Sequence, residues 1–91
     1  MDREALYSFM TGFRYGVVSS IGPDGTPQSA LVGIAVTPQL EIVFDTVKSS
    51  RKYANLAARP SCSLVVGWGG EQTAQFEGVA WEPAGADLKR L

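Results

Sequence analysis

Ninety-one residues and 9.7 kDa hold one domain and leave no room for a second. Hydrophobic residues at 45% exclude a disordered chain, and eight Lys plus Arg against nine Asp plus Glu argue against a nucleic-acid binder, which would be clearly basic. With no His and a single Cys, the chain cannot build a Ser-His-Asp triad, a Cys-His pair, an intramolecular disulfide, a Cys-cluster metal site or a histidine-ligated haem. A chain of this size hides roughly 60–65% of its unfolded surface, so its core is thin and a cofactor or a second subunit would supplement it. Any difficult chemistry is expected to belong to an organic cofactor. No apolar run is long enough to cross a bilayer, and the charged start Met1-Asp2-Arg3-Glu4 lacks a signal core, so a cytoplasmic location is expected.

Along the chain, residues 2–12 predict a short helix: Ala5, Leu6, Phe9 and Met10 recur at helical spacing, and Gly12 stops it. Residues 15–21 are apolar and β-rich. Gly22-Pro23-Asp24-Gly25 is a turn, since Pro23 pre-sets φ, Asp24 can bond nearby backbone and Gly25 tolerates positive φ. Residues 28–37 predict a second strand, buried on both faces, that makes a hairpin with the first. Pro38-Gln39 turns the chain into a third strand over 40–46, with Leu40, Ile42 and Phe44 on one face and Glu41 and Asp45 on the other. The period then changes. Residues 49–59 predict a helix with Tyr53, Leu56 and Ala57 on one stripe, ended by Pro60. A fourth strand over 61–67, a turn at Gly69-Gly70, a more polar fifth strand over 72–81 and a final helix over 84–91 complete the order α-β-β-β-α-β-β-α. Short turns between apolar strands point to a closed or nearly closed antiparallel barrel.

The stretch richest in chemistry is Phe44-Asp45-Thr46-Val47-Lys48-Ser49-Ser50-Arg51-Lys52. A strand ends there and a helix begins, with Ser49 or Ser50 as its cap. Helix starts ordinarily carry Asp or Glu, because their free amides are electropositive. This one carries Arg51 and Lys52, with Lys48 just before, and three cations beside free amides repel unless an anion sits among them. Hydroxyls, free N–H groups and cations at one point suit a phosphate. On these residues alone, a solvated basic turn is the alternative. The stretch is neither a P-loop, lacking GxxxxGK[ST], nor a dinucleotide fingerprint, lacking GxGxxG.

Gly25-Thr26-Pro27-Gln28-Ser29, then Phe44-Asp45-Thr46, then Ser50-Arg51-Lys52-Tyr53-Ala54-Asn55-Leu56 with Arg59-Pro60, and finally Thr73-Ala74-Gln75-Phe76-Glu77-Gly78-Val79-Ala80, together resemble the pyridoxamine 5′-phosphate oxidase-like family over residues 5–91. The resemblance implies a mainly β fold with flanking helices, the FMN-binding split β-barrel. It implies a homodimer with a flavin at the subunit interface and hydride exchange at flavin N5, with a small-molecule electron donor such as a nicotinamide and a small-molecule acceptor. Arg51 and Lys52 match the positions that grip the FMN phosphate, with Ser50 as helper. Phe44, Asp45 and Thr46 match the strand end beside the flavin. Ser29, Ala30, Leu31 and Val32 match the second-strand segment whose backbone lies along the flavin ring.

Two features depart from the family. Residues 28–36 contain no cation, where the true oxidase flanks apolar residues with Arg and Lys, so oxidation of pyridoxamine phosphate itself is disfavoured. The sequence also stops within its expected last helix, as a truncated domain or a minimal barrel completed by a partner would. Two further readings remain: the same fold with the deazaflavin F420, and a flavin-binding or dimerisation module without turnover. Trp68 and Trp81 are expected to pack in the barrel or the interface, and Tyr53 in the core. Gln75 and Glu77 are expected as solvent or interface polar groups, and Asp45 with Glu41 as an exposed sheet face. Arg14 carries no assignment, and Cys62 is expected as a small buried residue.

Overall fold

In the computed structural model, residues 2–46, 49–67, 70 and 72–82 are described. Helix α1 spans Arg3–Thr11 and starts where the Asp2 carboxylate accepts the Ala5 N–H at 2.7 Å. Its apolar stripe drives Met10, fully buried, into the middle of the core, while Leu6 and Phe9 are half-buried and Ala5 is exposed.

Strand β1 spans Tyr15–Ile21 and β2 spans Pro27–Val36, antiparallel and in the register Val18↔Ala30 and Ser20↔Gln28. The turn between them is the expected one. Gly25 takes φ +82°, and the Asp24 carboxylate accepts the Thr26 N–H at 3.0 Å. That bond favours the ionised acid and lowers its pKa. Two-sided burial of β2 does not occur. Val32 faces the core, whereas Leu31 on the other face is 64% exposed. A single layer of sheet can cover only one face, so the apolar residues of the second face point outward.

The third strand is shorter than expected: β3 spans Ile42–Phe44 and pairs antiparallel with β2. Leu40 lies in the preceding turn instead, at φ +64°, and donates its N–H to Thr37 O at 2.8 Å. Helix α2 spans Arg51–Ala58 and crosses to β4, Ser61–Val66, which pairs antiparallel with β1. Strand β5, Ala74–Val79, pairs antiparallel with β4 and is shorter than the ten residues expected. The sheet order is β3-β2-β1-β4-β5. Among the described residues it is a curled half-barrel with β3 and β5 at its edges, rather than a closed one.

The core lies inside this curl: Met10, Val18, Val32, Leu64, Val66 and Ala74, ringed by half-buried residues that include Phe9, Ile42, Phe44 and Cys62. Where β4 ends, Gly67 takes φ +100°, and a Cβ there would meet Gln72 O at 2.8 Å. The sequence therefore needs glycine at that point. Val47, Lys48, Trp68 and the helix expected over 84–91 lie outside the described residues, as does Gly69 of the expected turn.

Candidate functional site

The stripe that α2 turns toward the sheet differs from the expected one. Ala57 is exposed, and Tyr53 is half-buried with its hydroxyl donating to Glu82 Oε2 at 3.1 Å rather than packed in the core. The inward face is Lys52, Asn55, Leu56 and Arg59, at i, i+3, i+4 and i+7. Leu56 supplies the apolar contact. The Arg59 Nε donates to Ile21 O at 2.8 Å and fixes the helix end against β1. Asn55, 3% exposed, donates to Ser20 Oγ at 3.2 Å and to Gln28 Oε1 at 2.9 Å. One buried amide thus ties α2 to both strands of the hairpin.

This tie places the helix entrance over the hairpin. Ser50 is the cap: its Oγ accepts the Tyr53 N–H at 3.2 Å and lies 2.9 Å from Thr46 Oγ1. The first turn contains no acid. Between α2 and the hairpin lies a cavity of about 140 Å³, lined by Val18 and Ser20 of β1, Gln28, Ser29 and Ala30 of β2, and Arg51 and Lys52 of α2. Arg51 and Lys52 have no hydrogen-bond or ion-pair partner among the described residues. Among the described residues the lining holds two cations and no carboxylate, beside the electropositive start of the helix. Its chemistry suits an anion.

Of the residues singled out in the sequence, the cavity brings together Ser29, Ala30, Arg51 and Lys52, with Ser50 and Thr46 bonded at its helix end. Leu31 points outward, Val32 is core, Phe44 packs against the core and Asp45 is exposed. Their side chains do not converge on the cavity. Ser20 lies in no motif, and Gln28 and Asn55 fall within the family-like stretches without an assigned role. The signal for them is the i, i+3, i+7 polar pattern around Leu56, which marks a helix face packed on polar groups.

Glu41 sits in the turn before β3 rather than on a strand face. Its carboxylate accepts from Thr37 Oγ1 at 3.2 Å and it is half-buried, so it does not share an exposed strand face with Asp45. Gln75 and Glu77 are exposed, as expected, and Trp81 is 53% exposed. Cys62 is half-buried, and that burial pushes its thiol pKa up. No group of acids, Cys or His suited to a metal occurs among the described residues. A second cavity, of about 500 Å³, lies between α1 and β5 and is lined by Leu6, Phe9, Phe76 and uncharged polar residues. No helix is long and apolar enough to cross a membrane among the described residues.

Residues 3–88 match the family described as Pyridoxamine 5′-phosphate oxidase. A curated relative, the pyridoxine/pyridoxamine 5′-phosphate oxidase of Nocardioides sp. (strain ATCC BAA-499 / JS614), is 35% identical over 74 residues, 80% of this chain and 35% of its own. Among solved structures, the conserved hypothetical protein Rv2991 of Mycobacterium tuberculosis superposes with a TM-score of 0.77 at 31% identity, covering 87% of this chain and 51% of that one. An F420 reductase gives 0.68 at 25% identity, over 75% and 55%. A pyridoxamine 5′-phosphate oxidase-related, FMN binding protein of Nostoc punctiforme PCC 73102 gives 0.66 at 14%, over 85% and 42%, a likeness of fold alone. The chain spans about a third of the curated relative's length and about half of the solved ones.

Proposed function

We propose, for a chain that belongs to the pyridoxamine 5′-phosphate oxidase family and folds as its split β-barrel, that it binds FMN through the phosphate and serves as a flavin-dependent oxidoreductase. The observation that carries this reading is the cavity at the α2 entrance, where, among the described residues, no acid lines the space and Arg51 and Lys52 have no hydrogen-bond or ion-pair partner. The cavity's 140 Å³ is well below the roughly 300–1,000 Å³ of a site that encloses a whole small molecule. It accepts the phosphate end of a flavin and leaves the ring outside.

When bound, the flavin supplies hydride exchange at N5. The chain's own part is to bind and orient. Lys52 and Arg51 would neutralise the phosphate at the electropositive start of α2, whose first turn the Ser50 cap holds. The backbone of Ser29, Ala30, Leu31 and Val32 and the strand end Phe44, Asp45 and Thr46 would hold the ring, as the family resemblance implies. Among the described residues the cavity lining holds no carboxylate, Cys, His or Tyr, which fits chemistry carried by the cofactor. The lining also lacks any β2 cation that would hold a second phosphate, so a substrate other than pyridoxamine phosphate is favoured.

A homodimer completes the site in this reading. Tyr15 is 53% exposed and Leu31 64%, on the outward face of paired strands, so an apolar strip is free to meet a second copy. A cytoplasmic location, with a nicotinamide electron donor, follows the same reading. The F420 reductase among the neighbours favours a second reading in which the same entrance grips the phosphate of F420. Titrating the protein with FMN, riboflavin and F420 separates these. FMN binding well above riboflavin supports the first reading, preference for F420 the second, and binding of none refutes both. NADH or NADPH oxidation that depends on both protein and flavin separates an enzyme from a flavin-binding module.

A further inference from the structure

We propose that Ser20 is a ligand of the anion held at the α2 entrance, its hydroxyl donating into the cavity while Asn55 holds its oxygen. The inference rests on the phosphate reading of that cavity. Ser20 and Asn55, each 3% exposed, are the buried polar residues among those described. Buried polar groups are expected to use their hydrogen-bonding capacity. The two hydrogens of Asn55 Nδ2 go to Ser20 Oγ and to Gln28 Oε1. Ser20 Oγ is thereby an acceptor toward Asn55, and its own proton remains to be donated. Among the described residues the structure gives that proton no acceptor. Ser20 lines the cavity together with Arg51 and Lys52, so the acceptor it lacks is the one that the cations would attract.

The geometry ties this donor to the others. Asn55 follows Lys52 by three residues on the inward face of α2, and Ser20 pairs with Gln28 across the β1–β2 ladder. A single amide therefore sets the hydroxyl of β1, the side chain of β2 and the cation of α2 at fixed distances. Two cations alone would attract any anion. A buried hydroxyl held in one orientation adds a directional contact at the inner end of the site.

The test is the ratio of FMN to riboflavin affinity, measured by flavin fluorescence with the wild type, Ser20→Ala, Ser20→Cys and Ser20→Thr. Riboflavin has the ring and lacks the phosphate, so a general loss of folding cancels in the ratio. Loss of a hydrogen bond to a charged group predicts a roughly 10- to 100-fold fall in the ratio for Ser20→Ala. Ser20→Cys, which fills the volume and donates weakly, falls in the same direction, and Ser20→Thr keeps the ratio. Because Ser20→Ala also deprives Asn55 of an acceptor, the Cys and Thr variants decide the matter if the Ala variant does not fold. A wild type that prefers FMN, with Ala and Cys variants that keep the full preference, overturns the role of Ser20 and leaves the phosphate site standing. A wild type without preference overturns the phosphate site and this inference with it.

Discussion

Replacing Arg51 and Lys52 together with Ala makes two predictions of opposite sign. Each side chain contributes a charge-assisted hydrogen bond to a bound phosphate, worth about 1.5–3 kcal/mol. Arg51 is exposed and Lys52 half-buried, so solvent screening keeps both near the low end of that range. The double variant should lose about 3 kcal/mol of FMN binding, or roughly 100-fold in Kd. Riboflavin affinity should not move. In the ligand-free protein the same change removes two cations from the positive end of α2, where each costs about 0.3–1 kcal/mol. The apo variant should therefore melt a few degrees higher, since about 1 kcal/mol shifts a domain of this size by roughly 4–8 °C. Titration followed by flavin fluorescence, with a melting curve of the apo protein, reads both effects. Unchanged FMN affinity, or an equal loss for riboflavin, would refute the phosphate assignment. A lower melting temperature would show that the pair holds the fold rather than a ligand.

The core makes further predictions. Met10 is fully buried at the centre of the curl, and Met10→Ala should cost about 2–5 kcal/mol, seen as a lower denaturant midpoint. Gly67→Ala meets both a positive φ and the Gln72 carbonyl, so it should destabilise by about 1–3 kcal/mol even though it adds one methyl group; a neutral result would mean that the turn after β4 can relax. Burial raises the Cys62 thiol pKa, so the folded state binds that proton more tightly than the unfolded one. The resulting stability is fully present below the unfolded thiol value, near 9.0, and is lost as pH rises through the higher folded value. At neutral pH Cys62 should therefore alkylate more slowly in the native protein than in urea, and equal rates would contradict its burial.

Much of the fold was legible because helix and strand periods are written in apolar residues. Leu6, Phe9 and Met10 mark α1, and Gly22-Pro23-Asp24-Gly25 marks the hairpin. The basic entrance to α2 was legible for a different reason: cations stand where an ordinary helix carries acids. What periodicity could not show was which side of an apolar strand finds a neighbour. The second face of β2 reads as core in the sequence and lies open in the fold. The helix stripe was misread in the same way. Apolar Tyr53 and Ala57 suggested one face, whereas the sheet meets Lys52, Asn55 and Arg59 around Leu56, because β1 and the hairpin offer polar partners there. Ser20 looked like any strand serine until the fold buried it beside two cations.

The central claim is that the α2 entrance holds a flavin by its phosphate. Side-by-side titration of the wild-type protein with FMN and riboflavin tests it most directly, repeated at low and high salt. The account predicts that FMN binds more tightly by roughly two orders of magnitude and that this advantage shrinks as salt screens the exposed Arg51. Equal affinity for the two flavins at both salt concentrations would contradict it.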